Sequence, residues 1–305
     1  MNQNSENQSI QKIKEVLQKR PVFPLPRGEL WLGTGFLDRA GYGDTLENHF
    51  RMVEDLGQDM VCLPIALDMT VKPGLGYRYF GCPDLKHAVR FSGRYVIAVI
   101  DGPFQEMVNR LGLISVLTDW LRDREKTIRV YKQEAKNCLG LIHQSLEQGV
   151  HAIVMADDLA QDKGLLISPQ DIEVICGPFY RQAVSEIHRA GTSVFLHSCG
   201  RITGLIPLIR DWDIDGLASV QHGANNLLAL SRELGSGRVI MAGMDAELLD
   251  SDTPSPDLIS CFCRLLTDMI PAGGFVLSSS CGLYSRDFLS RVKSLYRIAD
   301  SLSEE

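Results

Sequence analysis

Short apolar runs recur along this chain, each followed by a stretch of helical spacing, and that alternation restricts the fold more than any other feature. The runs are Met60 to Leu63, Tyr95 to Ile100 (YVIAVI), His151 to Asp158 (HAIVMADD), Ser193 to Cys199 (SVFLHSC), Asp215 to Gln221 (DGLASVQ), Arg238 to Asp245 (RVIMAGMD) and Gly274 to Cys281 (GFVLSSSC). Apolar runs of this length suit strands buried on both faces, as in a parallel sheet covered by helices. With a first strand around Val22 to Leu25 the count reaches eight, and the fold class expected is α/β, a (β/α)8 TIM barrel. An open doubly wound sheet would need a glycine-rich phosphate turn after its first strand. The GTG at Gly33 to Gly35 is not one.

The 305 residues suit one large barrel, so a single domain over 1–305 with an N-terminal helical and loop extension is expected. Ile10, Ile13, Val16 and Leu17 recur at helical spacing, and Pro21, Pro24 and Pro26 forbid continuation. Asp44 with Glu47 is a capping signal for a helix to about Leu56, which Gly57 ends. Pro64 to Gly93 is rich in Gly, Pro and aromatic residues and reads as an elaborated loop with a short helix near Pro83 to Val89. Later helical stretches run from about Phe104 to Glu147, Pro169 to Ala190, Gly204 to Asp211, Leu227 to Leu234 and Ser255 to Ile270.

A net charge of −7 without clustered Lys and Arg argues against a nucleic-acid surface. No segment approaches the ~20 continuous apolar residues of a membrane span, and the polar N-terminus carries no apolar signal core, so a cytoplasmic protein is expected. Eight scattered cysteines fit a reducing compartment. Cys138, Cys176, Cys261 and Cys263 fall in helical patterns and read as packing or helix-surface thiols.

His197 and Cys199 are different. They end an apolar strand two positions apart, and Cys281 ends another such strand 82 positions later. Three ligands with one position left open is the pattern of catalytic zinc, whereas structural zinc usually takes four. A core histidine beside a buried thiol is the plainer reading of HxC alone, and Cys281 tips the balance to metal. Asp157 and Asp158 end another strand, where a carboxylate either faces the site or caps the next helix, and Asp157 is the preferred catalytic group. Gln221 and His222 are candidates for a supporting hydrogen bond or a fourth ligand. Asp245 is a candidate to orient His197 or meet substrate, or to cap a helix. Tyr284 and Arg286 are placed near the mouth of the site.

These residues resemble the uroporphyrinogen decarboxylase superfamily, and more closely its zinc-containing methylcobamide:thiol methyltransferases. The likeness runs from about Arg20 to Ala299. It rests on DGPFQEMVNRLG (Asp101 to Gly112), VMADDLAQDKGLLISPQDIEVICGP (Val154 to Pro178), the HSCG run and GGFVLSSSCG. It implies zinc held by His197, Cys199 and Cys281, methyl transfer between a corrinoid and a small acceptor such as a thiol, and a separate corrinoid carrier protein as partner. A homodimer is compatible with it. The decarboxylases hold substrate carboxylates with paired N-terminal arginines, for which Arg20 and Arg27 stand here in a segment only loosely like theirs. Tetrapyrrole decarboxylation and a non-catalytic corrinoid-binding or zinc-storing scaffold are the alternatives.

Overall fold

In the computed structural model, residues 3–66, 76–235, 237–250, 254–280, 282–284 and 288–302 are described. Seven parallel strands form one sheet: β1 (Met60–Ile65), β2 (Tyr95–Asp101), β3 (Ala152–Ala156), β6 (Ser193–His197), β7 (Gly216–Val220), β8 (Val239–Met244) and β9 (Phe275–Ser279). They are hydrogen-bonded in chain order, with helices between them. The two-residue strands β4 (Ala160–Gln161) and β5 (Gly164–Leu165) pair as a separate hairpin beyond β3. The sheet is curled as a TIM-barrel-like half-barrel.

The eighth strand expected at Val22 to Leu25 does not form. Pro21, Pro24 and Pro26 each lack the N–H that a ladder needs. Contact across the seam comes just afterwards: Leu277 donates to the Pro26 carbonyl, Gly28 donates to Leu277, and Asp59, just before β1, donates to the Arg27 carbonyl. One irregular segment thus bonds to both β9 and the start of β1.

The period-2 pleat sorts the strand residues into two cores. Met60 and Cys62, Ile97 and Val99, Val154 and Ala156, Phe195, Met241 and Val276 meet inside the curl with Leu30 and Trp31. Their neighbours Val61 and Leu63, Ala98 and Ile100, Ile153 and Met155, Val194 and Leu196 pack outward against the helices. This parity decides which strand-end residues can reach the site.

The helices follow their local signals with some breaks. Phe104 to Glu147 is three helices, Pro103–Leu111, Leu113–Arg122 and Arg124–Glu147, interrupted at Gly112, whose φ is +80°, and at Asp123, which caps the third. Pro169 to Ala190 divides at Cys176 into Pro169–Ile175 and Gly177–Arg189. Thr45, not Asp44, caps helix Leu46–Asp55. Asp44 instead accepts from the Thr34 hydroxyl at 2.6 Å and lies 2.9 Å from His49 Nε2. No helix among the described residues is long and apolar enough to cross a membrane.

Candidate metal centre

The inward face of β6 carries Phe195 and then His197, and Cys199 continues past the strand end in the same direction. His197 is 4% exposed and its Nδ1 lies 2.9 Å from the Ala218 carbonyl of β7. A carbonyl can only accept, so Nδ1 bears the proton and Nε2 presents its lone pair. That is how a metal-binding imidazole is normally oriented. Nε2 lies 3.6 Å from Cys199 Sγ. Two such donors on one tetrahedral zinc, at its usual Zn–N and Zn–S lengths, stand about 3.6 Å apart. The pair therefore fits a zinc ion without rearrangement. Trp31 packs edge-on to the imidazole, with ring centroids 4.8 Å apart.

The turn after Cys199 is held from several sides. Gly200 has φ +77°, and a Cβ there would sit 2.3 Å from the Gln161 backbone, so no larger residue fits. Its N–H donates to Gln221 Oε1 at 3.2 Å, and its carbonyl accepts from Asn225 at 2.8 Å. Gln221 therefore shapes the turn that presents Cys199. Ser198, pointing the other way, accepts from the Leu159 N–H at 3.1 Å.

Strand parity reverses the expected order of the two aspartates. Ala156 faces inward, so Asp157 turns outward into the helix layer. It is fully buried there, accepting from the Gln105 N–H and the Tyr180 hydroxyl, each at 2.7 Å. Burial pushes its carboxyl up to about 7, opposed by these two donors and reinforced by Asp158 and Asp101. Asp158 is the residue beside the candidate ligands. Its Oδ1 accepts from the Cys199 N–H at 2.8 Å and lies 3.8 Å from His197 Nε2. Asp158, His197 and Cys199 offer three ligand atoms within 4.8 Å of one another. Cys281 and Arg286 lie outside the described residues.

Asp245 does not orient His197, a task the Ala218 carbonyl performs. It accepts from the N–H groups of His222 and Gly223, at 3.2 and 2.6 Å, and lies 3.0 Å from His222 Nδ1. Burial pushes Asp245 up, but His222, Ser280 and the Gly223 N–H hold it below the usual carboxylate range. Arg20 is exposed, and Arg27 is buried, paired with Asp300 and stacked 4.7 Å over the Tyr296 ring. Neither lines a cavity that Cys199 lines.

Two cavities meet at Cys199. One, of about 220 Å³, is lined by Trp31, Tyr77, Asp101, Asp158, His197 and Tyr284, with Ser280 at its edge. The other, of about 630 Å³, is lined among others by Arg201, Gln221, His222, Asp245, Cys261 and Ser280. Asp101 and Trp31 were not anticipated as site residues. Asp101 ends YVIAVID on the inward parity, a signal present in the sequence, whereas Trp31 comes from the irregular seam segment and carried none.

A curled parallel α/β sheet with donor atoms gathered at the C-terminal ends of its strands defines a barrel-type enzyme scaffold with a candidate metal centre. The uroporphyrinogen decarboxylase (URO-D) family model matches residues 85–302, and the chain belongs to that family. No curated protein matches it. Among solved structures it is similar to a methyltransferase from Methanosarcina mazei, with a TM-score of 0.72, 15% identity, and 96% of this chain and 98% of the other covered. A B12-independent methionine synthase from a Shewanella species, in complex with selenomethionine, aligns with a TM-score of 0.59, 12% identity and coverage of 92% and 95%. A putative vitamin-B12 independent methionine synthase from Listeria monocytogenes aligns at 0.55, with 14% identity and coverage of 93% and 98%. At these identities the likeness is one of fold.

Proposed function

We propose that this protein is a zinc-dependent methyltransferase that moves a methyl group between a corrinoid and a small thiol. In this reading His197 and Cys199 hold the metal together with Cys281, and Asp158 stands beside them. The observation that carries the reading is the 3.6 Å spacing of His197 Nε2 and Cys199 Sγ, with Nδ1 tied to Ala218. The methyltransferase and methionine synthases of similar fold support methyl transfer, while both synthases are B12-independent, so the corrinoid donor rests on the sequence resemblance. When bound, zinc supplies a Lewis acid that favours the ionised form of a thiol at neutral pH.

The chain's own residues have separate tasks. The Ala218 carbonyl holds the His197 proton on Nδ1 and turns the Nε2 lone pair toward the metal position. Asp158 fixes the Cys199 backbone, and Trp31 shields the imidazole from water. In the transfer, the thiol sulfur forms a bond to the methyl carbon as the carbon–cobalt bond breaks. The electron pair of that bond stays on cobalt, taking cobalt(III) to cobalt(I), and the thiol proton leaves to solvent. The larger cavity beside Cys199 is assigned to the corrinoid face, delivered by a separate carrier protein in the cytoplasm. The same geometry serves the reverse direction.

Elemental analysis of the purified protein tests the metal, with about one zinc per chain expected and its loss in Cys199→Ser. Cobalt(I) formation from methylcobalamin and added thiol, followed by absorbance, tests the reaction. A protein that holds no zinc, or that consumes a porphyrinogen and ignores methylcobalamin, overturns the proposal.

A further inference from the structure

Strand β7 carries one residue more than its partner β8 can match. Leu217 stands opposite Ile240, but the next pair in register is Val220 opposite Ala242. Three steps on β7 therefore answer two on β8, which is a β-bulge, with Ala218 and Ser219 together against Met241. Ser219 makes the bend at φ +50°, a left-handed conformation that serine seldom adopts. Its hydroxyl is buried without a hydrogen-bond partner among the described residues. Both features work against stability, so the bend is imposed by what surrounds it.

The extra residue has two consequences at the mouth of the barrel. Phe195 pairs with Gly216 and Leu196 with Leu217, so an unbroken ladder would set Ala218 beside His197 with its backbone groups bonded to a neighbouring strand. The register between β6 and β7 instead stops at Leu217, and the Ala218 carbonyl accepts from His197 Nδ1 at 2.9 Å. The bulge releases that carbonyl to a side chain.

The second consequence is one of parity. Leu217 and Val220 both pack outward against the helices, while Ala218 packs inward. Without the extra step, alternation would turn Val220 inward and send Gln221 out into the helix layer. With it, Gln221 reaches the mouth, where its Oε1 accepts from the Gly200 N–H at 3.2 Å and its carbonyl accepts from Asn225 at 2.8 Å. Asn225 also donates to the Gly200 carbonyl and accepts from the Ile202 N–H at 3.0 Å. The turn that presents Cys199 is thus clamped from the end of β7.

We propose that the bulge at Ala218 and Ser219 assembles the metal centre, with Ser219 a positioning residue that acts through its backbone. One inserted residue sets the imidazole through Ala218 and the Cys199 turn through Gln221, so both candidate ligands depend on the same register step. This deepens the zinc reading and rests on it. The Ser219 hydroxyl takes no part, and glycine serves equally well at this position.

The test compares Ser219→Gly, which accepts a left-handed bend, with Ser219→Val, whose branched side chain resists it. Ser219→Thr is the gentler branched variant should the valine protein not fold. Nitrogen-15 NMR of the metal-free protein in mildly alkaline solution reads the His197 tautomer, its signal assigned by its loss in His197→Ala. Wild type and Ser219→Gly are expected to hold the proton on Nδ1, and the branched variants to show a mixture with Nε2. Zinc affinity, measured by competition with a chromophoric chelator, is expected within about threefold of wild type in Ser219→Gly and weaker by about 10–100-fold in Ser219→Val. Gln221→Ala breaks only the second link, so it should weaken zinc by about tenfold and leave the proton on Nδ1.

A wild-type proton on Nε2 overturns the proposal, as does a folded branched variant that keeps both the tautomer and the zinc affinity. Weaker zinc with the tautomer unmoved reports packing damage alone and also overturns it. Full zinc affinity in Gln221→Ala removes the link to Cys199. These outcomes leave the zinc reading standing wherever wild type holds the metal. A tautomer that shifts in the branched variants of a protein that takes up no zinc keeps the bulge as the group that sets His197 and overturns the metal reading.

Discussion

Cys199 and Ser280 stand between two cavities of unlike character. On one side lie three aromatic rings and two carboxylates around about 220 Å³. On the other, about 630 Å³ is walled by Arg201, Gln221, His222, Asp245 and Glu247 with a few apolar side chains. The small cavity suits one compact group among the rings. The large one offers space and scattered polar partners to a broad, hydrogen-bonding surface. A reaction that brings a small acceptor and a bulky donor to one atom needs both kinds of space on opposite sides of that atom. The barrel supplies them because different strand ends build the two walls. The ends of β2 and β3 with the seam segment make the first, and the ends of β7 and β8 make the second.

The largest effect expected on this arrangement comes from removing a ligand of the proposed metal. His197→Ala or Cys199→Ser should lower methyl transfer by about 1000-fold or more, since a Lewis acid is worth several kcal/mol in the transition state. The fold should persist, because strand-end ligands add little to the packed interior. Zinc content and the thermal transition, measured on the same samples, separate the two effects. An unchanged rate would mean that Cys199 is merely a wall.

Gly200→Ala should come next, costing about 3 kcal/mol. It combines a left-handed φ with a Cβ placed on the Gln161 backbone. Denaturant unfolding reads the cost, and loss of zinc reports whether the turn also positions Cys199. Normal stability in this variant would show that the β4–β5 hairpin is free to move away.

These three variants test features that the sequence exposed unequally. The HxC at the end of an apolar strand was legible because a strand end is where a barrel collects its chemistry. The choice between Asp157 and Asp158 was also legible, since counting by twos back through Ala156 and Val154 places Asp158 inward. The preference for Asp157 missed that parity. The expected strand at Val22 to Leu25 ignored the missing donors of three prolines. Tyr284 was read at the mouth of the site and does line the small cavity, whereas Trp31 and Tyr77 lie in irregular segments that gave no local signal. The seam hydrogen bonds of Gly28 and Leu277, those of Gly33 and Trp31 with Leu283, and that of Thr34 to Gly76 bring such segments together.

A third prediction concerns the strand that reaches both cavities. Glu29 is buried, accepts from the Ser279 N–H at 2.9 Å and from its hydroxyl, and so fixes β9 immediately before Ser280. Burial pushes its carboxyl from 4.5 up to about 7, against the pull of Ser279 and Tyr296. Below about pH 4 the folded and unfolded chains both carry this proton. Between there and pH 7 the unfolded chain has lost it and the folded chain keeps it, so stability falls as pH rises and levels off above 7. The fall attributable to Glu29 should be on the order of 3 kcal/mol. Glu29→Gln should flatten the profile in that window. A wild-type profile that rises from pH 4 to 7, with the variant unchanged in shape, would place the ionised carboxylate in the fold.

The smallest expected effect bears most directly on whether the two cavities act separately. Asp245 accepts from the His222 and Gly223 N–H groups through different oxygens, so it tethers the loop that walls the large cavity. In Asp245→Asn one of these oxygens becomes an NH2 group, which cannot accept, and one backbone N–H loses its partner at a cost of about 1–2 kcal/mol. If the large cavity receives the corrinoid, loosening that wall should raise KM for methylcobalamin several-fold. Thiol KM should hold within about twofold, because Asp245 does not line the small cavity beside His197. Steady-state kinetics with each substrate varied in turn gives both numbers from one preparation. Equal changes on the two sides would show that the wall at Ser280 transmits strain, and that the two cavities work as one site.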